Sequence, residues 1–322
     1  MKAFCIIYNH RFDANIPKLE KFYQNRFEHI YHLVPFYDGS LENVIPVFEK
    51  SFYFQAHVIT AWCHLKNKGF DQFVFVGDDL LLHPDINENS IDSTLKLDSD
   101  MAFLPWYWGA ITDLPFEYPN LMPAWNAFYQ KKHLKHHALD WTKSLPSYTV
   151  AEEKLNQHGF QFRKLTIKNL KGYYGNYKYR HFKNRFRNLI TLYLQNKRKP
   201  PYPVVAGYAD LFVLPANKMD EVVCILESFR DIRLWVEFAI PTAILLCFDK
   251  IRTENELSQK GILPIEFYKS AERTDFLIDR KKARLVFDKI NNQNFNGLSE
   301  LFDDSDLYIH PVKLSKVSMD KL

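Results

Sequence analysis

QFVFVGDDLLLHP, residues 72–84, is an apolar run that stops at a glycine and two acids before a second apolar run. Phe73–Val76 has the aromatic and β-branched content of a strand buried on both faces. Working outward, the chain alternates. Upstream, Ala3–Tyr8 reads as a strand, Ile16–Phe27 as a helix and His29–Val34 as a strand. A helix is expected from about Phe52 to Leu65, with Phe52, Ala56, Ile59 and Cys63 on one core-facing stripe. Downstream, Met101–Leu104 is a further strand. Residues 105–148 are then rich in Trp, Tyr, Pro and His and weakly periodic. Later elements are a strand at Asp210–Leu214 and helices at about Ala216–Phe229 and Val236–Phe248. Strands alternating with helices predict an α/β fold with a mainly parallel sheet covered on both faces. Residues 1–110, 111–200 and 201–322 form successive segments, the middle one an aromatic and basic helical insertion.

Composition narrows the function. Ten glycines in 322 residues, with no GxGxxG and no GxxxxGK[ST], argue against a glycine-rich phosphate cradle. The longest apolar run, Ala239–Phe248, is too short to span a bilayer, and Ala3–Tyr8 is too brief for a signal peptide. Four scattered cysteines without a CxxC pair exclude a cysteine zinc site or a disulfide scaffold, so a cytoplasmic protein is expected. The net charge of +4 is uneven. Arg163–Lys199 holds twelve Lys or Arg and no acid, leaving thirty basic against thirty-eight acidic residues elsewhere. Within it Phe182, Phe186, Leu189, Ile190, Tyr193 and Leu194 recur at helical spacing. Two interpretations stay open for this basic amphipathic helix. It is either a solvated helix with one face on the core, or a surface for anionic membrane head groups that places the protein peripherally on the inner face of a membrane. No nucleic-acid motif accompanies the charge, so nucleic acid is not an expected partner.

In open parallel sheets, ligands bind beyond the carboxyl ends of the strands. Four ends here carry polar or aromatic groups: Tyr8-Asn9-His10, Asp38-Gly39-Ser40, Gly77-Asp78-Asp79 and Trp106-Tyr107-Trp108. The acidic pair is the sharpest. Adjacent carboxylates beside a buried strand are costly unless neutralised, and Mg²⁺ or Mn²⁺ would neutralise them. A turn in which one Asp caps the backbone and the other is solvated is the alternative.

VFVGDDLLLHP resembles the acidic DXD-type strand end of the GT-A class of nucleotide-sugar-dependent glycosyltransferases. That resemblance implies a GT-A-like, Rossmann-related sheet. It also implies a divalent metal on the donor diphosphate, with Asp79 as direct ligand and Asp78 beside it. IIYNH is similar to the early strand whose end touches the nucleotide, which points to Tyr8 and Asn9. FYDGS is similar to the pattern whose aspartate contacts the base, which points to Asp38. In the later half, Gly207-Tyr-Ala-Asp210 and the helix bearing Glu237 resemble the acceptor loop and the helix that carries the catalytic base in inverting members. Glu237 is then the base and Asp210 its runner-up. DLYIHPVKLS resembles a C-terminal segment that lends a histidine to the metal, here His310. Lys313 would offset diphosphate charge as a point cation. The motif is Gly-Asp-Asp rather than Asp-X-Asp, and Tyr37 stands where many relatives have a second acid.

The implied activity is transfer of a sugar from a nucleotide-diphosphate donor to a hydroxyl of a glycan or lipid-linked glycan, in bacterial surface-glycan or lipopolysaccharide synthesis. Trp106 and Trp108 are candidates for stacking on sugar rings. A sugar nucleotidyltransferase is one rival, weakened because YNHRFDANIP lacks its glycine-rich loop. A non-catalytic protein that holds a glycan or partner on its aromatic centre is another.

Overall fold

The computed structural model describes residues 1–114, 118, 120–129, 144–165, 186–187, 190–191, 194, 199–264 and 280–322. Most of the basic stretch 163–199 lies outside the described residues; of the helix expected from Phe182 to Leu194, residues 186–187, 190–191 and 194 are described, and they are helical, with Phe186, Ile190 and Leu194 exposed. The strands are β1 (Lys2–Ile7), β2 (Ile30–Pro35), β3 (Val44–Val47), β4 (Gln72–Gly77), β5 (Leu81–Leu82), β6 (Ala102–Phe103), β7 (Tyr107–Ala110), β8 (Val205–Gly207), β9 (Leu211–Pro215), β10 (Ile251–Arg252), β11 (Lys260–Ile262) and β12 (Asp306–Ile309). The helices are α1 (Ile16–Tyr23), α2 (Phe54–Leu65), α3 (Ile91–Leu95), α4 (Leu121–Ala127), α5 (Tyr148–Gln157), α6 (Met219–Asp231), α7 (Val236–Cys247) and α8 (Arg280–Asn292).

The chain forms two compact units. The first comprises residues 1–106, 210–219 and 248–322, and the second 107–209 and 220–247. These boundaries cut across the three sequence segments because residues 211–215 return to the first unit as a central strand of its sheet.

The first unit is built on a seven-stranded sheet of order β10-β6-β9-β4-β1-β2-β3. β4, β1, β2 and β3 are parallel to their neighbours in that run, and β9 runs antiparallel between β4 and β6. It is therefore an α/β sheet, mostly parallel, flanked by helices and compatible with a Rossmann-like arrangement. The central strands explain the apolar sequence. Every residue of β4 is buried, as are Ala3–Ile7 of β1, so neither strand shows the alternation of a half-exposed sheet. β3 sits at the edge, where Pro46 costs no ladder bond.

Two helices differ from the sequence expectation. α1 stops at Tyr23 rather than Phe27, with Ile16, Leu19 and Tyr23 on its buried face. α2 begins at Phe54 after a 3₁₀ turn over Ser51–Tyr53. The expected stripe is shifted: Ala56 and Ile59 are buried, but Phe52 is 52% exposed and Cys63 is exposed. Burial instead covers most of the helix, from Phe54 through Val58, Ala61 and Trp62 to Leu65. An apolar helix buried on several sides offers no single stripe.

A second, three-stranded sheet of the first unit has the order β11-β12-β5. β12 pairs in parallel with β11 and antiparallel with β5, so Tyr308 faces Leu82 and Ile309 faces Leu81 in register. Gly261 of β11 is required here: a Cβ at that position would fall inside the Tyr308 ring. In the second unit β7 and β8 pair antiparallel, and α7 packs against β8. Thr242 of α7 accepts the Val205 N–H at 2.9 Å and donates to the Val205 carbonyl at 3.2 Å, which completes the pairing of that backbone.

Gly261→Ala is expected to lower stability by about 2 kcal/mol through overpacking against a fully buried ring. Urea unfolding of the full chain checks it, and an unchanged midpoint would contradict this packing.

Candidate functional site

The Gly77–Leu82 segment is fixed by its backbone. Gly77 N–H donates to the Asp210 carbonyl and Asp78 N–H to the Ile7 carbonyl, both at 2.8 Å, and Leu80 N–H closes the turn on Gly77 at 3.0 Å. The Asp79 carbonyl accepts Val312 N–H at 2.7 Å. Buried Tyr23 accepts from Leu82 N–H at 3.1 Å and donates to the Leu80 carbonyl at 3.3 Å. With the main chain committed, the two aspartate side chains are left to define the site. Gly77 gives them room: a Cβ there would lie 3.3 Å from Asp79 Oδ1 and 3.6 Å from Asp210 Cβ.

Three distant parts of the chain meet at this edge. Asp78 and Asp79 follow β4, and Asp210 immediately precedes antiparallel β9. His310 arrives because β12 pairs with β5, which follows the acidic pair after one residue. His310 Nε2 lies 3.3 Å from Asp79 Oδ1. Asn9, at the end of β1, donates its N–H to Asp78 Oδ1 at 3.0 Å and its amide nitrogen to Asp79 Oδ1 at 3.3 Å. Asn15 also hydrogen-bonds Asp78.

The electrostatics follow from burial. Asp78 is 4% exposed; desolvation and then the neighbouring Asp79 push its pKa up to about 7. Burial pushes Asp210 up as well; His310 opposes this and Asp79 adds to it. Burial alone would lower His310, but the charges of Asp79, Asp210 and Asp78 hold it above its ordinary value. Asp79 is more open. Burial would raise it, yet His310 first and Lys313 last bring it below the usual carboxylate range. Among the described residues, no Lys or Arg forms an ion pair with Asp78, Asp79 or Asp210. Three carboxylates thus share one imidazole.

This donor set fits a hard divalent cation: oxygen ligands with one imidazole suit Mg²⁺ or Mn²⁺. Two adjacent ligands on such an ion stand about 3 Å apart, close to the Asp79–His310 separation of 3.3 Å. Among the described residues, no three His, Cys, Asp or Glu side chains form a ready coordination group. The cluster supplies the charge and ligand types, and the side chains would reorient to hold an ion.

The remaining sequence candidates fall elsewhere. Tyr8 is fully buried, and its hydroxyl bonds His32 Nδ1 at 2.8 Å. His32 Nε2 in turn meets Glu20 at 2.7 Å, and Glu20 also accepts Asn43 at 2.6 Å. Tyr8 therefore anchors the turn that presents Asn9 and offers no ring face to a ligand. Asp38 is exposed and paired with Arg11, which also bonds Asp13 and the Phe36 carbonyl; Arg11 holds the Asp38 carboxyl below the usual carboxylate range. Lys313 is exposed on the loop after His310. Trp106 is buried in the first unit.

Glu237 belongs to the second unit, in the first turn of α7. Its Oε2 accepts Tyr118 Oη and Trp235 Nε1, the latter at 3.1 Å. Asn9, Asn15, Arg11 and the His32–Glu20 pair carry roles that the sequence analysis did not weigh, apart from Asn9. Apart from Arg11 with Asp13, two positions on, their partners are 12 to 70 positions away, so adjacency in the chain gives no signal for most of them. Comparison with family models, with curated proteins and with solved structures yields no match.

The raised Asp78 pKa makes stability fall as pH rises. The unfolded carboxyl ionises near 3.8 and the folded one near about 7, so between those values the folded chain holds a proton the unfolded chain has lost. Asp78→Asn should remove on the order of 3 kcal/mol of this destabilisation at about pH 8 and little at about pH 4. Urea titrations at both pH values test it. An equal pH dependence in the variant would show that Asp78 is not the desolvated group.

Proposed function

We propose that the acidic cluster of the first unit binds the diphosphate of a nucleotide-sugar together with Mn²⁺ or Mg²⁺, and that the protein is a metal-dependent glycosyltransferase of the GT-A type. The observation that carries this reading is the gathering of Asp78, Asp79, Asp210 and His310 at one strand edge with no Lys or Arg ion pair to the acids among the described residues. Desolvated carboxyl groups gathered in this way ionise at a cost that a bound cation would offset. The place, beyond the carboxyl ends of parallel strands, is where α/β sheets bind ligands.

The residues divide the work. Asp79 and His310, with Asp78 beside them, would hold the ion, and Asp210 would add charge behind them. Asn9 orients both aspartates through its two hydrogen bonds. When bound, the ion would stabilise the negative charge that gathers on the departing nucleoside diphosphate. Lys313, already close enough to lower the Asp79 pKa, adds a point cation on the same loop. The exposed Arg11–Asp38 pair, beyond β1 and β2, offers the nucleoside a fixed carboxylate and a planar guanidinium.

A thermal-shift series with UDP-, GDP-, ADP- and dTDP-sugars, with and without Mn²⁺, tests this. At least one donor should raise the melting temperature only when Mn²⁺ is present. Asp79→Asn should abolish that shift, keep the fold, and slow hydrolysis of the same donor about a hundredfold. A shift that persists in EDTA, or full hydrolysis in the variant, would remove the metal-dependent transferase.

A further inference from the structure

The stretch 163–199 holds charge and apolar residues that the acidic cluster does not use. Its sequence allows two arrangements: an apolar face packed on the core, or an apolar face turned outward among the cations. The described residues decide between them. Phe186, Arg187, Ile190, Thr191 and Leu194 are helical and belong to the second unit. Phe186, Ile190 and Leu194 follow one another at intervals of four, so they lie within about 80° of one another around the helix axis. They are 46%, 42% and 83% exposed. Ile240 and Ile244 of α7, at the same spacing, are buried. The stripe from Phe186 to Leu194 is therefore a surface. Large apolar side chains in line on a surface gain free energy from contact with an apolar phase.

The charge around the stripe says what that phase is. Arg163–Lys199 carries twelve Lys or Arg and no Asp or Glu. Lys183, Arg185 and Arg187 stand about the first stripe residue in the sequence, and Lys197, Arg198 and Lys199 follow the last. Arg187 is exposed and pairs with no acid among the described residues. Thr191 Oγ1 donates to the Arg187 carbonyl at 2.9 Å, so the hydroxyl beside the stripe is satisfied within the helix.

Cations beside an exposed apolar stripe match the boundary of a bilayer. Acyl chains accept the apolar face, and anionic head groups take the cations. Other occupants fit less well. A second copy of the chain would bring an equal positive charge against the first. Nucleic acid would take the cations, but its phosphates offer nothing to aliphatic Ile190 and Leu194.

We infer that the helix carrying Phe186, Ile190 and Leu194 docks the protein on an anionic lipid surface. The three side chains enter the acyl boundary, and Arg187 with the neighbouring Lys and Arg stays among the lipid phosphates. No residue of the acidic cluster takes part, so the docking stands or falls apart from the transferase.

Flotation of the full chain tests it, with vesicles of phosphatidylcholine alone and of phosphatidylcholine with about one part in three phosphatidylglycerol. The protein should float with the anionic vesicles and not with the neutral ones. Raising NaCl from about 0.1 M to about 0.5 M should weaken binding about tenfold. Leu194→Glu and Ile190→Glu, at exposed positions, should each weaken it about tenfold and leave the melting temperature unchanged. Leu194→Trp should add fluorescence that brominated acyl chains quench, which reads entry of the stripe rather than adsorption of charge. EDTA and Asp79→Asn should leave vesicle binding unchanged.

No binding to either vesicle, equal binding to both, or anionic binding that both glutamate variants leave intact would overturn the inference. So would a lower melting temperature in those variants, as for a stripe packed on the core. Tighter binding to a DNA duplex, untouched by Leu194→Glu, would assign the cations to nucleic acid instead. Vesicle docking with no Mn²⁺-dependent nucleotide-sugar shift would support the docking and overturn the transferase, and the reverse result would do the opposite.

Discussion

Asp78, Asp79 and Asp210 share a partly desolvated edge with a single imidazole, and the energetics of the first unit turn on that imbalance. Each acid responds differently to the same crowding. Asp78, the most buried, is pushed up to about 7; Asp79, nearest His310 and Lys313, is brought below the usual carboxylate range. The acids around His310 hold its pKa above the ordinary imidazole value against the effect of burial. A site that spends stability in this way has the character of a site poised for a ligand. The backbone shows the same economy. Gly77, Asp78, Asp79 and Leu80 have main-chain groups engaged with β1, the residue before β9, the loop after β12 and one another, which leaves the side chains to define the site.

The second unit treats a carboxylate in the opposite manner. Glu237 is given two neutral donors on one oxygen and a favourable helix end. Tyr8 illustrates a third use of polar groups. Its chain through His32 to Glu20 is satisfied internally and stiffens the turn that carries Asn9.

Much of the sheet was legible in the sequence because burial on both faces removes polar residues. FVFV and AFCII declare themselves as strands in any context, and β1, β2, β4 and β9 lie within a residue or two of their expected positions. Short elements were not legible. β5, β10 and β11 have two or three residues each and take their identity from pairing partners, whereas short β6 was expected within Met101–Leu104. The stripe assigned to α2 was misplaced because neighbours on several sides bury that helix, so its periodicity carried little information.

The sequence by itself determined the α/β alternation and the position of an acidic pair at a strand end, since both are local and are written in consecutive residues. Only the tertiary structure decided that Asp210 and His310 join that pair, that Tyr8 is an internal anchor, and that Glu237 is held by Tyr118 and Trp235. The physical reason is pairing at long range. The β12–β5 ladder joins residues more than 220 positions apart, and antiparallel β9 returns a distant segment to the middle of the sheet. Hydrogen-bond registers of that kind depend on the folded whole, and no window of sequence contains both partners.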